Sequence, residues 1–400
     1  MERLEARNVD GAEGSCYSLG CKRRAVESSP RQDVSRPPAE APSLAYRLLR
    51  GLLFLIEAER AHNLALGYLR LLQASGPVLR EVARRHAPED RRLSRTLWGR
   101  EFPGPIGLAA GFDKDARVAP ALSALGFGFL EVGTVTPEPQ AGNPRPRLFR
   151  HPRQRSLQNR LGFNNAGMEA MRGRLADLRP LGVPLGVNVG KNRTTPLSRA
   201  GEDYSRLIEG LSAECDYRAI NISSPHTPGL WDLQTPRAVE ELVEGCRTLT
   251  ERPLLVKLDP DLEPHAAIDL AIAAVSAGAA GLILTNTTTD YSLLPGARRE
   301  GGLSGAVLRE RSFRMLERVA AELFGRCVLV SVGGIDTAAE VYRRLRAGAS
   351  LVQHLLTYEP RSLLTVNNYF GVLQAVLNNL GIGVLPDYVT EDFPALARVV

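Results

Sequence analysis

Eight short apolar runs, at residues 106–110, 127–132, 185–189, 219–222, 254–258, 281–284, 328–332 and 351–352, recur along the chain at near-uniform spacing. Most are separated by stretches of helical periodicity such as 116–125 and 266–277. Runs of this length, rich in Val, Ile and Leu, read as strands buried on both faces. Strands that alternate with helix-length connections read as βαβ units of a parallel sheet. Eight such units over roughly 260 residues have the size and rhythm of a (β/α)8 TIM barrel, whose chemistry lies at the carboxyl ends of its strands. The rival, a doubly wound open sheet, calls for a G-x-G-x-x-G after the first strand, and none stands there.

The remainder of the 400 residues divides by composition. Residues 1–43 carry seven charges of each sign, few large apolar side chains and no periodicity, so they read as disordered. Their acids argue against a transit peptide, and no apolar core marks a signal peptide. Residues 44–78 read as an amphipathic helical extension, 79–380 as the barrel and 381–400 as a tail. The overall net charge is +6, and residues 44–101 hold eleven arginines against six acids, a net of +5. A basic amphipathic segment ahead of the main domain suits an anionic lipid surface. It lacks the aromatic interleaving of a nucleic-acid stacking platform, so no nucleic-acid partner is expected. No apolar run approaches the ~20 residues of a membrane span. Five irregularly spaced cysteines argue against a disulfide framework, and six histidines without ligand spacing argue against a bound metal.

If the barrel reading holds, residues that follow each run converge on one pocket. They form a coherent set: Ala109-Ala-Gly-Phe-Asp-Lys114, Gly133-Thr-Val-Thr-Pro137, Asn159-Arg-Leu-Gly-Phe-Asn-Asn165, Asn188, Lys257, Thr285-Asn-Thr-Thr288, Gly301-Gly-Leu-Ser-Gly305 and Ser331-Val-Gly-Gly334. The densest is Asn221-Ile-Ser-Ser-Pro-His-Thr227, which taken alone also reads as an ordinary polar turn. Interior amides must have their hydrogen bonds satisfied, so asparagines 159, 188, 221 and 286 point to a ligand with amide-like edges, a flavin or a pyrimidine. Lys114 and Lys257 add positive charge for a carboxylate or a reduced flavin ring. Glycines after the sixth and seventh strands, Gly305 and Gly334 among them, stand where such barrels commonly hold phosphate.

These phrases, with Gly142-Asn-Pro-Arg-Pro-Arg-Leu-Phe-Arg150, Gly186-Val-Asn-Val-Gly-Lys-Asn192 and Arg346-Ala-Gly-Ala-Ser-Leu-Val-Gln353, resemble dihydroorotate dehydrogenase of class 2, the quinone-dependent, membrane-associated form, over residues 44–375. The helical segment with Glu59-Arg-Ala-His62 resembles the quinone-tunnel extension of that class. The resemblance implies oxidation of dihydroorotate to orotate, with FMN accepting the hydride and a membrane quinone taking the electrons, in pyrimidine biosynthesis. It implies Ser224 as catalytic base. It implies Lys114, Asn159, Arg160, Leu161, Gly162, Phe163, Asn221, His226, Asn286 and Thr287 around the substrate. Ala109, Ala110, Gly111, Thr134, Asn188, Asn221, Lys257, Thr285, Gly305 and Gly334 fall to FMN, and His62 and Arg150 to the quinone entrance. A monomer is implied, peripheral on the cytoplasmic face of the cell membrane or, in a eukaryote, on the mitochondrial inner membrane.

The chain departs from the family pattern at three places. His226 stands where the family has an asparagine that grips the pyrimidine. After Gln353 the family's Tyr-Ser or Tyr-Thr pair, which holds the FMN phosphate, is missing in register. Asp259 follows Lys257-Leu where the family has a small residue. The alternatives these leave are a degenerate flavin- or pyrimidine-binding paralogue with little turnover, and an FMN oxidoreductase for another dihydropyrimidine-like acid.

Overall fold

The computed structural model describes residues 54–86, 91–178, 181–211, 215–224 and 229–354. All belong to the unit that begins at Leu44. The readings of residues 1–53, of the chain after His354, and of His226 and Thr227 fall outside the described residues.

In chain order the elements are helices α1 (Ala58–Ala74) and α2 (Gly76–His86), a hairpin of β1 (Arg95–Leu97) and β2 (Arg100–Phe102), then β3 (Ile106–Leu108), α3 (Ala119–Ala124), β4 (Phe129–Val135), β5 (Leu148–His151), β6 (Ser156–Asn159), α4 (Met168–Asp177), β7 (Leu185–Val189), α5 (Ala200–Gly210) and β8 (Tyr217–Asn221). There follow α6 (Pro236–Arg247), β9 (Leu254–Leu258), α7 (Pro264–Ser276), β10 (Gly281–Leu284), β11 (Gly302–Gly305), α8 (Arg309–Leu323), β12 (Val328–Val332), α9 (Ala338–Arg346) and β13 (Leu351–His354). Strands β3, β4, β7, β8, β9, β10, β12 and β13 close a barrel in that order, and every pair in it is parallel. All eight apolar runs are therefore barrel strands. Their residues are almost all buried, because helices cover the outside and side chains fill the inside.

Two apolar layers result. Between strands and helices lies the larger one, which includes Leu108, Leu130, Val187, Ile220, Val256 and Leu282. Inside the barrel Phe129, Tyr217, Leu255, Ile283, Val330 and Leu351 form the smaller. The β1–β2 hairpin closes the amino-terminal end of this interior. Phe102 is fully buried there and meets Phe129 edge to face with ring centroids 5.6 Å apart.

The structure corrects the sequence reading in two places. The division expected at residue 78 cuts through α2, which continues to His86 and packs with α1 and α3. Residues 302–305, read as part of the loop after the sixth strand, form β11 in a three-stranded antiparallel sheet with β6 and β5, outside the barrel sheet. Glycine is needed there for close approach: at Gly305, with φ +89°, a Cβ would lie 2.5 Å from the carbonyl oxygen of Arg155.

Candidate active site

The polar interior of the barrel begins at Glu131, in the middle of β4 and fully buried. Three donors converge on its carboxylate: Asn188 Nδ2 at 2.9 Å, Gln353 Nε2 at 2.6 Å and the Tyr217 hydroxyl at 3.3 Å. From Asn188 the hydrogen bonds continue upward. Asn188 Oδ1 accepts from Thr134 Oγ1 at 2.5 Å and from Asn221 Nδ2 at 3.0 Å. Asn221 Oδ1 accepts from the backbone N–H and the hydroxyl of Ser223, both at 3.3 Å, and from Asn286 Nδ2 at 3.3 Å. Asn286 Nδ2 also donates to Ser223 Oγ at 2.9 Å. Thr134, Asn188, Asn221 and Gln353 lie toward the carboxyl ends of their strands, and Ser223 and Asn286 two residues beyond theirs, with Glu131 and Tyr217 lower in the barrel. Parallel pairing brings these strand ends together although they are far apart in the chain.

Above this layer opens a cavity of about 670 Å³. Its floor and walls include Asn221, Ser224, Lys257, Thr285, Asn286 and Thr287. One side is the loop after β3, with Ala109, Ala110, Gly111 and Lys114, together with Thr134 of β4. Asn159, Leu161, Gly162 and Phe163 form another, and Gly305 and Gly334 line the end nearest α8. The cavity continues under α1, where His62 and Glu59 face it. Ser224 is 4% exposed, at the end of the described part of its loop.

Three residues read as site members lie elsewhere. Asn188 is fully buried beneath the cavity and is hydrogen-bonded to Thr134 and Asn221, which line it. Arg160 turns outward to Glu300, 3.0 Å away. Arg150 donates to the carbonyl of Ile56 at 2.7 Å and lies over the Phe54 ring, fastening the chain ahead of α1 rather than lining the cavity.

The electrostatics follow from burial. Lys114 donates to Asn164 Oδ1 at 2.9 Å, and burial, with Arg147 nearby, pulls its ammonium down to about 8, against Asp115 and Glu59, which raise it. Burial likewise lowers Lys257, with the Glu131 charge opposing. His62 packs edge to face on Phe112, ring centroids 5.1 Å apart, and burial and Lys114 lower it to about 4, so it is neutral near pH 7. Burial pushes the carboxyl of Asp259 up to about 7.

Sequence reasoning missed the supports. Glu131 and Gln353 stood within phrases that carried the family resemblance but were given no role, and each is otherwise marked only as an isolated polar side chain within an apolar run. The pair that docks α1 was also missed. Glu59 is buried at the start of α1 and receives Arg147 Nη2 at 2.7 Å and Arg145 Nη2 at 3.0 Å. Arg147 spends its remaining donors on the carbonyls of Ala141, at 2.6 Å, and Asn143, at 2.9 Å.

A closed parallel barrel whose strand ends send amides, hydroxyls and two lysines into one cavity defines a (β/α)8-barrel enzyme. Comparison with known proteins gives the family. Residues 92–360 match the family model for dihydroorotate dehydrogenase. A dihydroorotate dehydrogenase (quinone) of Nitratiruptor is 48% identical over 308 residues, 77% of this chain and 88% of that protein. One from Thermus thermophilus is 49% identical over 305 residues, 75% of this chain and 88% of that protein. The crystal structure of the Eimeria tenella enzyme in complex with ferulenol superposes with a TM-score of 0.69 at 33% identity, covering 80% of this chain and 92% of that one. The chain belongs to the dihydroorotate dehydrogenase family.

Proposed function

We propose that this protein oxidises dihydroorotate to orotate in pyrimidine biosynthesis, with FMN as first electron acceptor and a membrane quinone as second. The observation that carries this reading is the single cavity that joins the strand-end cluster around Asn221 and Ser224 to the underside of α1 at His62. An electron donor and an electron acceptor can then approach one group from different sides.

The residues present fit a flavin. Gln353 lines the cavity, and its Oε1 is buried with no partner among the described residues, an acceptor that a ligand N–H can use. Lys257 and Thr285 flank the same space, and Ala109, Ala110 and Gly111 leave the backbone bare for a flat ring. FMN, when bound, supplies the acceptor for the hydride that leaves carbon 6 of the substrate. The chain does the rest. Asn159, Asn221, Asn286 and Thr287 bind the pyrimidine amide edges, and Lys114 binds the carboxylate. Ser224 Oγ takes the proton from carbon 5. A serine hydroxyl is a weak base, so it must pass that proton onward, and general-base positioning of this kind contributes roughly 10²–10⁴-fold.

At α1 the side chains of Leu64, Tyr68 and Leu71 are 57%, 67% and 74% exposed, and Leu55 just ahead of the helix is 84% exposed. Arg60 and Arg70 lie on the same helix. Among the described residues no helix is long and apolar enough to cross a membrane. This face supports peripheral attachment to lipid, which delivers quinone to the cavity mouth. The test is anaerobic. Dihydroorotate should bleach the flavin of the purified protein, and a short-chain quinone should restore its colour. Flavin that stays oxidised in excess dihydroorotate refutes the reading.

A further inference from the structure

The end of the cavity nearest α8 is lined by Gly305, Gly333, Gly334, Asp336 and Arg155. Its backbone is arranged as a set of donors. Gly333 O accepts from Arg344 Nη2 and from Ser312 Oγ, both at 3.0 Å, and Gly334 O accepts from Arg309 Nε at 2.8 Å. None of those three side chains lines the cavity. The N–H groups of Gly333 and Gly334 donate to none of the described residues.

Arg155 brings charge to this end. It is the last residue of the turn between β5 and β6, and its φ of +48° lies in the left-handed region, where glycine or asparagine is the usual occupant. A non-glycine residue at such a position carries backbone strain that the surrounding structure must offset. Its Nη1 lies 2.8 Å from Asp336 Oδ2, the one polar contact of the guanidinium among the described residues. Asp336 is shared, because Arg309 Nη2 lies 2.5 Å from its other oxygen. Two guanidiniums thus face one carboxylate, leaving about one positive charge in excess and free N–H donors on Arg155 at the cavity wall. A phosphate monoester matches this arrangement.

We propose that Arg155 is a cofactor-binding residue, clamping the phosphate of FMN against the Gly333 and Gly334 N–H groups while Arg309 retains Asp336. The assignment rests on the flavin reading of the cavity. It gives the phosphate a charged partner from the β5–β6 turn.

Arg155→Gly is the variant of choice, because glycine suits the left-handed backbone and removes the side chain that carries the guanidinium. FMN and riboflavin are titrated into the apoprotein of the full chain, wild type and variant, with flavin fluorescence as readout. The FMN dissociation constant should rise roughly tenfold to a hundredfold, the worth of one charge-assisted contact, while that of riboflavin stays unchanged. Arg155→Lys should fall between wild type and glycine. An unchanged FMN affinity in Arg155→Gly, or an equal loss for FMN and riboflavin, overturns the assignment while leaving the flavin reading intact. A wild-type protein that binds neither flavin overturns both.

Discussion

At the scale of single residues, Ser224 and Lys114 carry separable parts of the proposed chemistry. Ser224→Ala removes the proton acceptor and none of the hydrogen bonds that fix Asn221 and Asn286, since those bonds run through Ser223. The variant should keep its flavin and lose roughly 10²–10⁴-fold in the rate of flavin reduction by dihydroorotate, read by anaerobic stopped flow; an unchanged rate removes Ser224 from the role of base. Lys114 is depressed to about 8, mainly by burial, so it is a cation below that pH and a neutral amine above it. Only the cation attracts a carboxylate. KM for dihydroorotate should therefore rise as pH passes upward through about 8, and in Lys114→Met KM should be high throughout and lose that limb. Asn221, Ser224 and the lysines were legible in sequence because polar groups clustered just past an apolar run have few structural reasons to be there. Glu131 and Arg155 were not. One is a lone acid inside a strand, the other a basic residue in a turn, and both patterns are common without any site nearby.

At the scale of elements, the join between α1 and the barrel rests on Glu59 and Arg147, whose side chains are 7% and 6% exposed. Breaking a buried pair from one side leaves the other charge stranded, at a cost of about 3–5 kcal/mol. Glu59→Gln should loosen α1 selectively, seen as faster amide exchange in Ala58–Ala74 with the barrel strands unaffected. The net shift of the Glu59 carboxyl is downward: burial raises it, but Arg147 and Arg145 outweigh burial. A depressed carboxyl stabilises the folded state above its unfolded pKa, near 4.5, and that contribution is lost as pH falls through the folded value. Protection of α1 should thus collapse on acidification before that of the barrel. The barrel strands were legible as elements because burial on both faces makes each a continuous apolar run. The β5–β6–β11 sheet was hidden. Its strands have four residues each with mixed polarity, and β11 pairs with β6 across more than a hundred residues, a separation that leaves no local pattern.

For the whole molecule, the proposed division of labour is between a barrel that reduces a flavin and a helical face that meets lipid. Leu64→Glu with Leu71→Glu places two charges on that face without touching the cavity lining. The double variant should lose binding to anionic liposomes and turnover with a vesicle-embedded quinone, yet keep turnover with a soluble dye; equal losses in both assays would show that the face has no separate lipid role. The barrel was readable strand by strand because eight similar units must close on one another. The helical extension was readable as basic and amphipathic, while its fastening, a carboxylate meeting an arginine 88 positions later, was not.

One feature of the barrel interior reaches further than its size. A carboxylate that receives three donors fixes which end of each amide points where. Glu131 takes the N–H of Asn188, so Asn188 turns its oxygen to Asn221, and Asn221 turns its own oxygen to Ser223 and Asn286. Orientation is thus passed hand to hand from the closed bottom of the barrel to its mouth. An arriving ring meets amides whose polarity was decided well below it.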